Sequence, residues 1–325
     1  AAPAFLTHML AFEAAWTEGL GATGAVSAQA AAEAGAVIAA YSPDFEVLSL
    51  GADRDGLAVP TLVDGLRAGL PKAVAAAIHS GATSQDVIDT AMVLALRDVS
   101  GILVQRLAAV LAGLDGLTAR FGAGQMMGRT RMQAALPIPV AARIDTWRRP
   151  LSEHAAALPR LRVRVEVAQI GGPVGLGDAP PGVAAGVAQR LGLGSAPVWH
   201  ADRARMVEYG HWLVLLTGSL GKFGQDIALM AQQGVEEVAL SGAGGSSAMP
   251  HKQNPILAET LVTLARFTAG QQGVLAQAML HEQERSGSAW ALEWMVLPAM
   301  CEAAGAALRH AGHLTTQITR LGPAA

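Results

Sequence analysis

Apolar side chains recur along this chain at helical spacing and almost nowhere in strict alternation. Residues 5–22 set Leu6, Met9, Leu10 and Phe12 through Trp16 on one broad face, the pattern of an amphipathic helix. Residues 28–40 continue as alanine-rich helix. Residues 42–56 carry Ser-Pro and Asp-Gly signals and read as turns. A shorter helix is predicted after Pro60, over 61–69. A long one is predicted over 83–117, through Val87, Met92, Val93, Leu96, Val99, Leu103 and Leu107. Pro137 and Pro139 break the chain, and helix resumes over 147–167. The glycines and prolines of 171–181 form a turn region. Long helices follow over 203–240, 255–286 and 293–319, the last interrupted near Pro298. With no sustained alternation of β-branched residues, the predicted fold class is all-α. Apolar faces wider than one stripe predict a long central bundle whose outer faces meet other subunits. A small N-terminal helical domain is expected over residues 1–80 and the bundle over 81–325.

Composition narrows the function. The 325 residues are 51% hydrophobic, enough for a large buried core, yet only 4% are aromatic. Alanine makes up the difference, and small side chains let helices approach closely. Net charge is −3 and no Lys/Arg cluster marks a nucleic-acid surface, so anion binding is expected to be local. Cys301 is the only cysteine, which excludes an internal disulfide, disfavours a thiolate metal site and suits a reducing cytoplasm. No eighteen-residue run lacks Asp, Glu, Lys and Arg, so no membrane span is expected. The first twelve residues lack the layout of a signal peptide. There is no His-x-x-x-His pair for zinc, and Lys252 follows His251 rather than the glycine of a phosphate-binding loop. Gly171–Gly177 follow no predicted strand, so a dinucleotide fingerprint is not expected.

Five segments carry candidate chemistry. Ser241-Gly-Ala-Gly-Gly-Ser-Ser-Ala-Met-Pro-His-Lys-Gln-Asn-Pro255 joins a glycine-rich backbone to hydroxyls (Ser246, Ser247) and to donors suited to an anion (His251, Lys252, Asn254). His79-Ser-Gly-Ala-Thr-Ser-Gln-Asp86 puts Thr83 and Ser84 at a helix start, where backbone N–H groups and the helix dipole favour an anion. Thr83 and Asp86 are spaced as a capping box, and His79 is a proton carrier tunable near neutrality. Gly128-Arg-Thr-Arg-Met-Gln133 offers two arginines that can grip carboxylates in planar fashion. Ala168-Gln-Ile-Gly-Gly-Pro-Val-Gly175 offers Gln169 as a carboxylate donor or, equally, as the end of a helix. His281-Glu-Gln-Glu-Arg285 precedes Ser286, Ser288 and Trp290.

These segments together resemble the fumarase/aspartase superfamily. The loop is similar to its Gly-Ser-Ser-x-Met-Pro-x-Lys-x-Asn-Pro, with Met249 at the methionine position. His79–Asp86 is similar to its His-x-Gly-x-Thr-Ser-x-Asp, 128–133 to its Gly-Arg-Thr-x-x-Gln and 169–175 to its Gln-x-Gly-Gly-x-x-Gly. The likeness runs from about residue 5 to about residue 320. Arg131 stands where the adenylosuccinate and argininosuccinate lyases carry a catalytic His. Gln283 and Leu292 stand where adenylosuccinate lyase grips a nucleotide phosphate with arginines. These departures, with Trp199, His200, Arg203 and Arg205, are closer to a cycloisomerase branch than to either lyase. The resemblance implies a homotetramer with sites shared between subunits and a small polycarboxylate substrate. It also implies lactone formation through an aci-carboxylate, with no metal or organic cofactor. Ser246, Lys252 and His79 would be catalytic. Thr83, Ser84, Arg129, Arg131, Gln133, Gln169, Ser247, Met249, Asn254 and Arg285 would bind substrate. A fumarate-releasing lyase and a non-catalytic scaffold are the alternatives. The superfamily's third, C-terminal helical domain is expected to be absent or truncated.

Overall fold

A computed structural model describes residues 2–242, 244–245 and 253–323. Its helices, in chain order, are α1 (Ala2–Ala22), α2 (Ala28–Ala40), α3 (Phe45–Asp55), α4 (Val59–Arg67), α5 (Lys72–Ala75) and α6 (Ser84–Phe121). Two strands follow, β1 (Gln125–Thr130) and β2 (Gln133–Pro139), then α7 (Val140–Val165), α8 (Val183–Leu191) and α9 (Ala204–Met230). The chain continues through β3 (Val238–Leu240), α10 (Ile256–Gln277), α11 (Ser288–Gln317) and β4 (Ile318–Leu321). The all-α expectation holds for the architecture. The strands form two small antiparallel pairs, β1 with β2 and β3 with β4.

The chain divides into two compact units that interleave along the sequence. The first comprises Ala1–Asp98, Arg162–Arg203 and Leu280–Ser286. The second comprises Val99–Leu161, Ala204–Met279 and Gly287–Ala325. This is a different kind of division from a linear cut at residue 80.

Four local expectations change. Residues 42–56 are mostly helix: Asp44 caps α3 by accepting from the N–H groups of Glu46 and Val47, and Gly56 ends it in the left-handed region (φ 76°). The turn signals there are a helix's start and stop. Pro137 and Pro139 lie in β2, in a two-stranded hairpin where proline costs little ladder bonding. The helices expected over 203–240 and 255–286 end earlier, at Met230 and Gln277. α11 runs unbroken past Pro298, which sits on its exposed side while Val296, Leu297 and Met300 are buried.

In the second unit, α9 packs against α10 and α11. The contact depends on missing side chains. A Cβ on Gly221 would fall 2.6 Å from Ala265 Cβ, and one on Gly224 would fall 2.4 Å from the Ala258 carbonyl oxygen. Alanine-rich composition thus appears as close helix approach. α7 joins the same core: Trp147 Nε1 donates to Asp226 at 2.7 Å, and Trp212 Nε1 donates to the His154 carbonyl at 3.1 Å. α11 is long and apolar enough to cross a membrane by length and composition, but 56% of its most apolar window is buried inside the fold.

Candidate active site

In the first unit, Asp86 organises the start of α6. It is fully buried, and its two oxygens take four donors. Oδ2 accepts from Thr83 N (3.1 Å) and Gly172 N (3.0 Å), while Oδ1 accepts from Gly171 N (2.7 Å) and faces His200 Nε2 at 2.9 Å. The Thr83 bond is one half of the predicted capping box. The two glycine N–H bonds draw the turn after Gln169 onto the helix start, and the remaining contact brings in His200. A Cβ on Gly171 would fall 2.5 Å from His200 Cε1, so only glycine fits against that ring. Thr83 is buried and Ser84 half-buried at this junction.

One helical turn later, Asp89 accepts from both terminal guanidinium nitrogens of Arg203, at 2.7 and 2.9 Å. Both side chains are buried, and the guanidinium also lies 4.8 Å from the Trp199 ring centroid. Gln85 Nε2 donates to Asp89 and to the His200 carbonyl, and its Oε1 accepts from Arg285 Nε at 2.9 Å. Arg285 also donates to the Pro173 carbonyl at 3.1 Å. It therefore ties segment 280–286 to the 169–175 turn. His281 lies in the same segment. Burial, and then the Arg203 charge, holds its ring ionisation below the usual imidazole range, against the pull of Asp89 and Glu282.

Gln169 is fully buried. Its backbone N–H donates to Thr90 Oγ1, and its side-chain oxygen accepts from Trp199 N at 3.0 Å. Its Nε2 has no partner among the described residues. Since α7 ends at Val165, Gln169 is part of the turn rather than the end of a helix. His79 has left-handed backbone (φ 56°), and its Nδ1 lies 2.6 Å from Oε1 of fully buried Glu13.

The second unit holds Arg129, Arg131 and Gln133 on the β1–β2 hairpin. Thr130 pairs with Gln133 across a two-residue loop, Arg131-Met132, in which both residues have positive φ (48° and 68°). Arg129 makes a 3.0 Å ion pair with Glu237, whose second oxygen is buried without a partner among the described residues. Gln133 and Arg131 are exposed. The stems of the expected loop meet here too: Gly244 and Asn254 exchange backbone hydrogen bonds of 3.0 and 2.8 Å. Ser241 N donates to the Gln317 carbonyl at 2.8 Å. Ser246, Ser247, Met249 and Lys252 lie outside the described residues.

The first unit thus brings together Thr83, Ser84, Gln169 and Arg285, and the second carries Arg129, Arg131, Gln133 and Asn254. Sequence reading missed the supporting partners Glu13, Asp89 and Glu237, and it took Asp86 for a cap alone. Glu13 had a signal: an acid between Phe12 and Trp16 on an apolar face needs a partner. Asp86 and Asp89, three apart, share one helix face and a similar need.

Comparison with known proteins follows the same lines. A family model described as lyase matches residues 12–270. The chain is 38% identical to 3-carboxy-cis,cis-muconate cycloisomerase of Pseudomonas aeruginosa, over 94% of this chain and 69% of the relative. Among solved structures, the 3-carboxy-cis,cis-muconate lactonizing enzyme of Pseudomonas putida superposes with a TM-score of 0.90 at 35% identity. That match covers 97% of this chain and 73% of the other. A fumarate lyase from Mesorhizobium sp. BNC1 gives 0.91 at 29% identity, covering 99% and 74%. The chain spans about 70% of the length of these relatives.

Proposed function

We propose a cyclisation on one premise: the chain belongs to the lyase family that contains the 3-carboxy-cis,cis-muconate cycloisomerases. The substrate is 3-carboxy-cis,cis-muconate, and the product is its lactone, a step in the breakdown of protocatechuate. One carboxylate oxygen attacks a carbon of the conjugated diene and forms the ring C–O bond. The displaced π electrons move onto the carboxylate conjugated with that double bond, giving a doubly charged aci-carboxylate. A proton then reaches the adjacent carbon and restores the carboxylate. Charge builds on the intermediate, so electrostatic stabilisation is the largest contribution expected from the protein. Lys252 and Asn254 receive that charge. Thr83, Ser84, Arg129 and Gln133 hold the other carboxylates, and Arg131, Gln169, Ser247, Met249 and Arg285 line the site. Two groups are suited to deliver the proton, Ser246 and His79. The substrate's own carboxylate is the electron sink, so no metal or organic cofactor is needed.

The observation that carries this reading is the 38% identity over 94% of the chain. It gains from Gln283 and Leu292, neither of which supplies the arginine charge that grips a phosphate. We further place the protein in the cytoplasm as a homotetramer with shared sites. Ile102, Val104, Leu215, Phe267 and Met295 support association, because all are large apolar residues left exposed on the bundle helices.

The test is direct. Added 3-carboxymuconate should lose its diene absorbance as the lactone forms, and no loss with folded protein would sink the reading. Fumarate release from a succinyl adduct would move the assignment to the elimination branch. Ser246→Ala should cost roughly 10²–10⁴-fold in kcat if that serine moves the proton.

A further inference from the structure

We infer that Glu13 and His79 act as a proton-carrying dyad: His79 exchanges a proton with substrate at Nε2, and Glu13 is the positioning residue that fixes its ring. The inference rests on the cyclisation proposed above and adds a residue to it. Glu13 is fully buried on α1, and one oxygen lies 2.6 Å from His79 Nδ1. Its other oxygen is buried with no partner among the described residues, so the His79 contact is the hydrogen bond recorded for this carboxylate. An ionised carboxylate only accepts, so it requires a proton on Nδ1. That leaves Nε2 as the nitrogen that gains and loses one. The His79 side chain is 14% exposed, and Nε2 has no protein partner among the described residues.

The backbone around His79 is held as tightly as its ring. Glu13, Trp16 and Thr17 lie on one face of α1, three and four residues apart. Trp16 Nε1 donates to the Ser80 carbonyl at 2.9 Å and Thr17 Oγ1 to the Ala77 carbonyl at 3.3 Å. Arg67 donates to the Ile78 carbonyl at 2.7 Å. Three carbonyls within four residues are therefore pinned, and His79 between them keeps a left-handed backbone that a β-carbon disfavours. Such a conformation is costly for a residue with a β-carbon and persists only where the surroundings over-determine it. Thr83 and Ser84 follow four and five residues later at the helix start. The proton step balances simply. Imidazolium Nε2–H gives its proton to the carbanionic carbon of the aci-carboxylate, the ring is left neutral with its proton on Nδ1, and solvent restores the Nε2 proton.

Two measurements on the full chain test the dyad. The first needs no variant at the partner. Histidine ¹⁵N spectra, with the His79 signal assigned by its loss in His79→Gln, should show Nδ1 protonated and Nε2 titrating; an unprotonated Nδ1 overturns the proposal. The second is a double-mutant cycle in kcat. Glu13→Gln should lower kcat by about tenfold or more with KM within about threefold, as expected for lost acid–base positioning. In a His79→Gln background the same change should have almost no further effect. Losses that multiply, or a change confined to KM, make Glu13 structural and sink the dyad. If the wild-type chain turns over no 3-carboxymuconate, the cyclisation fails, while the ¹⁵N result still decides the state of the pair.

Discussion

The two groups of side chains proposed to bind carboxylates are built in opposite ways. Around Asp86 the parts are buried and paired: four donors on one carboxylate, a bidentate Arg203–Asp89 pair beneath it, and Gln85 joining that pair to Arg285. The β1–β2 hairpin is nearly all surface. Met132 and Leu136 are 73% and 74% exposed, and Gln133 and Arg131 are exposed beside them. A buried, satisfied network sets its geometry before any ligand arrives. A lone two-stranded hairpin is marginal in water, so whatever covers it must help to fix it. In the proposed tetramer that cover is a neighbouring subunit. The first group is thus framed by its own unit, and the second is the one that the proposed tetramer would complete.

The sharpest way to break this contrast is to remove one charge from each side. Asp89→Ala takes the bidentate partner from buried Arg203, and breaking such a pair costs about 3–5 kcal/mol. The melting temperature should fall by roughly 4–7 °C. Arg129→Ala removes a cation that is 36% exposed but leaves a carboxylate that is only 6% exposed, so it should cost about 1–3 kcal/mol, less than Asp89→Ala. Equal losses would erase the distinction. Asp86→Asn is the next step down. It keeps the shape but sets an amide N–H₂ against donors, at a cost of about 2–3 kcal/mol. Amide exchange should report it locally, as lost protection at Gly171 N and Gly172 N.

Much of this was legible in the sequence, but unevenly. Helix positions followed from apolar spacing because the bundle buries wide faces, and the start of α6 at Ser84 was written in Thr83 and Asp86. The ends of α3 were visible too, but as the turn signals Ser42-Pro43 and Asp55-Gly56. A cap and a turn use the same chemistry, and the helix between them, with mixed polarity, gave no strong period. The hairpin was hidden by its prolines and by a tip without Asn or Gly. Local spacing could name the residues proposed to bind ligand, since each lies in a short motif. It could not pair Glu13 with His79, Asp89 with Arg203 or Arg129 with Glu237. Those partners are 66, 114 and 108 residues apart, and only the fold brings them within reach.

The hairpin tip offers a gentler test from the exposed side. Arg131 and Met132 both adopt left-handed backbone that Asn-Gly accepts without strain. Replacing the pair with Asn-Gly should stabilise the hairpin by about 0.5–1 kcal/mol, seen as a higher denaturation midpoint. If turnover falls while stability rises, the two side chains are kept for binding rather than for the turn. If turnover is unchanged, the hairpin contributes through Arg129 and Gln133 alone.

The smallest expected effect is on acid stability, and it falls on the buried side. Both ring nitrogens of His281 are buried with no partner among the described residues. Burial and then Arg203 hold its ionisation below the usual imidazole value, while Asp89 and Glu282 pull the other way. The unfolded chain takes up this proton near pH 6.5, whereas the folded chain resists it. The contribution to stability is therefore complete above about pH 6.5 and is lost as pH falls from there through the folded value. His154 and His310 are shifted the same way, chiefly by burial, so a melting curve against pH carries all three. His281→Gln isolates one share: its curve should be flatter than the wild type's between pH 7 and 5. Residues 125–139 contain no histidine, and hairpin amide exchange should not depend on His281 over that window. A hairpin that loosened in step with His281 protonation would mean that the two groups are coupled, and the contrast between them would no longer hold.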